Sequence, residues 1–380
     1  MHYAIVTETY PPEINGVALT VQALERGLRQ RGHRVDLVRP RQPGIAQGAH
    51  ETLVPAIALP RYPGLHAGLP ATRLLSARWR AAPPAAVYIA TEGPLGWAAL
   101  RVARALGIPA ATGLHTRFDA YMRDYRLGWL EPLALRWMRH FHNRAAATLV
   151  PTREMKAFLD AAGFKHIRLL PRGVDTTLFD PRRRDEALRT TLGMGADAPL
   201  LVHVGRLAAE KNLALALRAL RRLQAQRPEA RMLWVGDGPL RGALERANPD
   251  CLFTGSLRGE ALARAFASAD LFVFPSRSET FGNVTLEAMA SGIATVAFDY
   301  GAAREHLRDG LHGAAIPPDD DEAFVAAVAR IAGGRDAMST MRTMGARARA
   351  AVQGLSPAQV AEDFDRLLCA LAHGDARAAA

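Results

Sequence analysis

The feature that most constrains this chain is an alternation of short, uninterrupted apolar runs with segments of helical pattern. The runs are Tyr3–Val6, Val35–Val38, Val87–Ala90, Ala147–Val150, Leu200–Val204, Met232–Val235, Leu271–Phe274 and Ala294–Ala297, with another near Pro109 to Ala111. Apolar strands separated by helices imply parallel sheets buried on both faces. The first helix is expected from about Val17 to Arg31. The pattern then restarts. Pro171–Pro199 is rich in proline, glycine and charge, and a new strand opens at Leu200. At 380 residues the chain exceeds one core of ordinary size. The expectation is therefore two doubly wound α/β domains, with the linker near 172–198.

The hydrophobic share of 49% and charged share of 22% allow real cores and exclude disorder, collagen and coiled coil. Cys251 and Cys369 cannot build a disulfide framework or a four-ligand zinc site, a usage that fits a reducing cytoplasm. The opening MHYAIVTETYPP has an apolar run too short for a signal-peptide core, and no stretch approaches the ~18 apolar residues of a spanning helix. A soluble or peripheral protein is expected. The net charge of +11 is one-sided, because residues 1–180 carry +10 of it. Such a field implies an anionic partner for the N-terminal half. Arginine used for solubility is the plainer alternative.

In open sheets ligands bind beyond the carboxyl ends of strands, which directs attention to four loops. Thr7–Gly16, TETYPPEING, sets Asn15-Gly16 before a helix, where free amides favour an anion; an ordinary capped turn has the same pattern. Residues 202–212, VHVGRLAAEKN, end a strand in Gly205 and place Arg206 and Lys211 at the mouth of a helix. Helix terminus and cations share a sign, a conflict that an anion held between them would relieve. Residues 271–292, LFVFPSRSETFGNVTLEAMASG, lead from a buried strand through Glu279 to a helix starting near Asn283, with Glu287 one turn further on the same face. With 37 acids in the chain such a pair arises readily by chance. What makes it suggestive is its place at a strand's carboxyl end, with Phe281-Gly282-Asn283 between the carboxylates. Residues 111–121, ATGLHTRFDAY, put His115 after a strand, where a lone histidine is more often structural than catalytic. VGDGP at 235–239 is only half of a dinucleotide fingerprint, and no P-loop, GxSxG, HExxH or CxxC is present.

Together these residues resemble the retaining glycosyltransferases of family 4, whose GT-B fold sets two Rossmann-like parallel-sheet domains facing across a cleft. The resemblance rests on Asn15-Gly16-Val17, His115 in HTRFD, RGVD at Arg172–Asp175, GRLAAEK at Gly205–Lys211, VGDGP and Glu279-x7-Glu287, in order along nearly the whole chain. It is nearest to bacterial GDP-mannose-dependent α-mannosyltransferases, and next to enzymes making diacylglycerol glycolipids. Many relatives have two glycines where this chain has Asn15-Gly16, a departure that bears on acceptor-side geometry.

The resemblance implies an acceptor-binding domain over 1–175 plus a C-terminal helix at about 357–380, and a nucleotide-sugar domain over 176–356. It implies transfer of a hexose, mannose favoured, from GDP-mannose or a UDP-hexose to a lipid or glycan acceptor. Arg206 and Lys211 would stabilise the leaving diphosphate with the amides of Gly282, Asn283 and Val284. Glu279 would hold sugar hydroxyls, Glu287 the ribose, and His115 the donor sugar. Gly16, Gly205, Leu257 and Phe281 complete the expected donor site, with base recognition in TGSLRGE after Phe253. No metal ligand and no cofactor is implied, a loosely bound Mg²⁺ being left open. The leaving phosphate would accept the acceptor's proton, so the two carboxylates are not a glycosidase acid and nucleophile. The helix beginning SPAQVAEDF at Ser356 would cross back to the first domain.

Residues 126–144 interleave Trp129, Leu130, Leu133, Leu135, Trp137, Met138 and Phe141 with Arg136, Arg139 and Arg144. Residues 69–80 combine Leu74, Leu75 and Trp79 with Arg73, Arg78 and Arg80. Apolar faces edged by Arg and Trp suit an anionic bilayer surface, and core helices with solvated arginine faces are the alternative. The favoured reading is a cytoplasmic protein peripheral to the inner face of the plasma membrane, with no nucleic-acid module. A UDP-sugar-dependent diacylglycerol glycosyltransferase and a nucleotide-sugar 2-epimerase are the rival enzymes. A phosphorylase would need a pyridoxal-phosphate lysine, and a non-catalytic binding protein would tolerate loss of Glu279 or Lys211.

Overall fold

A computed structural model of the chain describes residues 1–13, 15–42, 44–45, 47–58, 66–115, 131–277 and 279–374. The apolar runs form strands because each can be covered from both sides. Those of the first part are β1 (His2–Val6), β2 (Arg34–Pro40), β3 (Glu51–Val54), β4 (Ala56–Ala58), β5 (His66–Gly68), β6 (Ala86–Ile89), β7 (Ala110–Gly113), β8 (Ala147–Val150) and β9 (Ile167–Leu169). The second part holds β10 (Leu200–Val204), β11 (Arg231–Val235), β12 (Leu252–Gly255), β13 (Leu271–Phe274), β14 (Ala294–Phe298) and β15 (Gly313–Ile316). The chain divides into two compact units, Met1–Arg172 with Pro357–Ala380, and Gly173–Ser356.

The first unit has a sheet of order β3-β2-β1-β6-β7-β8-β9, parallel at every pairing. Successive residues of β1 feed opposite layers. Tyr3 and Ile5 pack in a core with Val21, Leu24 and Leu28 of helix Gly16–Gln30 and with Phe364 and Leu368 of helix Pro357–Ala372. Ala4 and Val6 face Leu75 and Trp79 of helix Thr72–Ala81 and Leu95 and Ala99 of helix Pro94–Ala105. The C-terminal helix is fastened here by Asp365, which accepts from Arg31 Nε at 2.8 Å and Tyr3 Oη at 3.3 Å. Its Ala361 Cβ lies so close to Gly27 that a Cβ there would sit 2.3 Å away.

The second unit repeats the plan with a parallel sheet of order β12-β11-β10-β13-β14-β15. Residues 173–199 are no loose linker. Val174, Phe179, Met194 and Ala198 are buried in the core of this unit, because the charged composition conceals four apolar anchors. Arg189 is also buried there, on helix Glu186–Thr191, and its Nη1 donates to Asp270 Oδ2 at 2.9 Å and to Ser268 O at 3.0 Å.

The basic, Trp-bearing stretches divide between core and surface. Leu75, Trp79, Met138 and Phe141 are core residues, whereas Leu74, Leu133 and Trp137 are 41%, 65% and 43% exposed. Residues 126–130, with Trp129 and Leu130, lie outside the described residues. No described helix is long and apolar enough to cross a membrane.

Candidate active site

In the second sheet the strand order reverses between β10 and β13, the place where open α/β sheets form their ligand crevice. Two of the loops singled out above meet here. After β10, Gly205 N donates to Val235 O at 3.0 Å and Leu207 N to Asp237 O at 2.9 Å. The chain then passes through a 3-10 turn, Ala209–Lys211, into helix Leu213–Gln224. After β13, Tyr300 fixes the polar loop: its hydroxyl donates to Ser276 O at 2.7 Å and accepts from Glu279 N at 3.1 Å. Lys211 Nζ, delivered by the first loop, donates to Glu279 Oε1, delivered by the second. Ser276 Oγ donates to the same oxygen at 2.8 Å.

This contact corrects one step of the sequence argument. Lys211 and Arg206 are not two uncompensated cations at a helix mouth. Lys211 is paired with Glu279, and Arg206, its side chain 47% exposed, lies 3.6 Å from Glu210. Glu279, brought in by the fold, and Glu210, from the same loop, already relieve the like-charge conflict.

Glu279 and Glu287 stand eight residues apart but in opposite electrostatic conditions. Burial pushes the Glu279 carboxyl up, and the charge and hydrogen bond of Lys211, with the Ser276 hydroxyl, outweigh it and hold the group below the usual carboxylate range. Glu287, on helix Asn283–Ala290, has no charged partner among the described residues, and burial pushes it up to about 7. Gly282 precedes that helix with φ +87° and supplies no side-chain cap. Beside it, Phe281 is buried, Asn283 and Val284 are half-buried, and Asn283 Oδ1 is buried without a partner. Asn212 Nδ2 and His203 Nε2 are likewise unpartnered. His203 was not anticipated. Fully buried on β10, it donates Nδ1–H to Val273 O at 3.1 Å, and burial pushes it down to about 4. These three unsatisfied polar atoms lie on the two loops and their flanking elements, which therefore have bonds left to form.

VGDGP serves this site by shape. A Cβ on Gly236 would lie 1.9 Å from Gly205 O, so glycine lets the two loops touch. Leu257 is half-buried, two residues past β12. Among the described residues no three His, Cys, Asp or Glu side chains gather as metal ligands.

The remaining expected residues belong to the first unit. Gly16 is the exposed first residue of its helix, behind Asn15, whose Oδ1 accepts from Ala18 N at 2.8 Å. His115 is 9% exposed, and both ring nitrogens are engaged: Arg172 Nη2 lies 2.7 Å from Nδ1 and Tyr88 Oη 2.8 Å from Nε2. Burial and the Arg172 charge push its pKa well below the ordinary value, so it is neutral. Sequence reading also passed over Glu8 and Glu92, beyond β1 and β6 where the first sheet reverses. Glu8 Oε1 accepts from Leu95 N at 2.8 Å, and burial pushes both carboxyls up to about 7.

Comparison with known proteins completes the assignment. Residues 14–178 match the family description Glycosyltransferase Family 4, and residues 198–333 match Glycosyl transferases group 1. A GDP-mannose-dependent alpha-mannosyltransferase of Mycolicibacterium smegmatis is 36% identical over 312 residues, 80% of this chain and 81% of the relative. A sulfoquinovosyl transferase of Arabidopsis thaliana is 36% identical over 248 residues, 63% of this chain and 48% of that protein. In three dimensions the chain resembles sucrose-phosphate synthase from Thermosynechococcus elongatus, with a TM-score of 0.78 at 21% identity over 98% of this chain and 99% of the other. With two Rossmann-like units in GT-B style and relatives of this likeness along four-fifths of its length, the chain belongs to glycosyltransferase family 4.

Proposed function

We propose that this glycosyltransferase moves mannose, with retention, from GDP-mannose to a lipid or glycan acceptor. The observation that carries this reading is the meeting of Lys211 with Glu279 in the loop that leads into an uncapped helix, Asn283–Ala290, which also carries the buried Glu287. The M. smegmatis relative named for GDP-mannose supports the choice of donor.

Cleavage of a sugar nucleotide releases negative charge onto the diphosphate while positive character grows at the anomeric carbon. Arg206 and Lys211 take the diphosphate oxygens, aided by the amides at Gly282, Asn283 and Val284, with Gly205 leaving room for them. Such preorganised donors act mainly where charge develops in the transition state. Glu279, freed from part of its bond to Lys211, accepts sugar hydroxyls, and Glu287 accepts the ribose hydroxyls. Leu257 and its loop border the base, and Phe281 closes the apolar side of the pocket. Neither carboxylate attacks carbon. The departing phosphate takes the acceptor's proton on the face it leaves, which preserves anomeric configuration. Gly16 and His115 serve the sugar and acceptor from the first unit, His115 through its backbone, because its ring nitrogens are already engaged.

A second reading, a UDP-hexose donor and a diacylglycerol acceptor at the inner membrane face, is favoured by one feature. Leu74, Leu133 and Trp137 are exposed among Arg73, Arg78, Arg136 and Arg139, a surface suited to anionic lipid. A panel of GDP, UDP and ADP with their sugars, read by thermal shift and then by product analysis, decides between donors. Stabilisation by GDP-mannose together with α-mannosylated product is the expected result. Stabilisation by UDP-hexoses alone moves the assignment to the second reading, and a changed donor sugar formed without acceptor would establish an epimerase.

A further inference from the structure

The described residues bury three arginines: Arg39, Arg172 and Arg189, at 2%, 8% and 1% exposure. Two are neutralised. Arg39 Nη2 lies 2.7 Å from Glu51 Oε2, and Arg189 Nη1 lies 2.9 Å from Asp270 Oδ2. Among the described residues Arg172 has no carboxylate partner. Its one hydrogen bond among the described residues runs from Nη2 to His115 Nδ1 at 2.7 Å. Because Nδ1 accepts, the His115 proton sits on Nε2 and is given to Tyr88 Oη at 2.8 Å, and Tyr88 is itself fully buried. Gly113 makes room for this chain, since a Cβ there would lie 2.2 Å from Tyr88 Oη and 2.5 Å from His115 Nε2. Tyr88, His115 and Arg172 thus form a built cluster, and its one full charge is an arginine that stays protonated at any physiological pH.

A buried guanidinium without a counter-ion is expensive, and among the described residues Arg172 is the one buried arginine that lacks one. The place is chemically suggestive. His115 and Arg172 follow β7 and β9, at the carboxyl ends of parallel strands where ligands bind. With Nη2 on histidine, the rest of the fork remains to grip a planar or tetrahedral oxyanion. The +10 charge of residues 1–180 draws phosphate toward this half.

We propose that Arg172, held by His115 and Tyr88, binds a phosphate ester carried by the acceptor. The proposal rests on the transferase reading, for it names the chemistry of that enzyme's acceptor. Two sources share this chemistry, a soluble phosphorylated polyol and a phospholipid headgroup. The test compares the full chain with its Arg172→Gln variant by calorimetry with glycerol 3-phosphate and by sedimentation with phosphatidylglycerol vesicles. Physiological salt, with a Debye length of about 8 Å, screens diffuse surface charge in both assays. Binding of glycerol 3-phosphate that weakens at least about tenfold in the variant supports a soluble acceptor, the scale of one lost hydrogen bond to a charged group. Vesicle binding that is lost in the variant, without binding of the soluble probe, supports a headgroup. Equal behaviour of the two proteins with both probes overturns the proposal. If Arg172→Gln does not fold, Arg172→Lys gives the same comparison, because it keeps the charge and loses the fork. GDP binding, measured on the same samples, keeps the two readings separable. It should survive in the Arg172 variants, and its absence from the parent protein would count against the donor site alone.

Discussion

The carboxyl edges of the two sheets handle charge in opposite ways. In the second unit Lys211 and Glu279 neutralise each other, and burial raises the Glu287 carboxyl on the helix that follows. In the first unit Arg172 is buried against a neutral histidine, with no carboxylate among the described residues to answer it. A ligand entering the second site must therefore exchange partners with groups already paired. One entering the first adds a charge that is missing. Affinity in the former is a difference between strong bonds, whereas in the latter it starts from an unfavourable state that binding relieves.

The largest expected effect breaks the paired side of this contrast. Lys211→Ala and Arg206→Ala should each lower the turnover of sugar transfer by at least about 10²-fold while the fold persists, the scale of a lost charge-stabilising donor. Near-normal initial rates in both variants would remove the diphosphate assignment. Next comes stability. Asp270→Ala takes from the buried Arg189 its 2.9 Å carboxylate and leaves only Glu186, 3.6 Å from Nε, so it should cost up to about 3–5 kcal/mol in chemical denaturation. Arg172→Gln removes a charge that was never compensated and should cost much less. Equal losses from the two substitutions would erase the distinction between the arginines.

A smaller effect concerns pH. The Glu287 carboxyl holds its proton more tightly in the fold than in the unfolded chain, being raised to about 7 from 4.5. The stability it contributes is complete below the unfolded value and is lost as pH climbs toward 7. If the ionised form accepts ribose hydroxyls, GDP affinity should rise as pH passes through about 7 in the parent protein and stay flat in Glu287→Gln. A matching profile in both proteins would contradict the ribose role. The smallest effect is local: Asn15→Ala removes the oxygen that accepts from Ala18 N, and a melt should register a loss of about 1 kcal/mol.

Legibility in the sequence followed burial. Every strand read from an apolar run lies inside its sheet, whereas the strands missed among the parallel pairs are the four edges, β3, β9, β12 and β15. An edge strand has less to cover. ETLV of β3 alternates buried with half-exposed residues, LFTG of β12 is buried only at its last residue, and GAAI of β15 is mostly small side chains. The segment before β10 misled for the converse reason, since its proline, glycine and charge outnumber the few apolar residues that dock it. At the site, residues close in sequence were readable as motifs. Those meeting across long separations were not: Lys211 and Glu279 are 68 apart, and Arg172 and His115 are 57 apart. Pattern placed each loop at a strand end, and only the fold revealed that one cation meets a carboxylate and that another, among the described residues, meets a neutral histidine instead.

The most direct test of the central claim is a crystal structure of the protein with GDP-mannose bound. The account predicts diphosphate oxygens within hydrogen-bonding distance of both Arg206 and Lys211, at the start of helix Asn283–Ala290, with Glu287 on the ribose. A diphosphate seated away from both cations would contradict it.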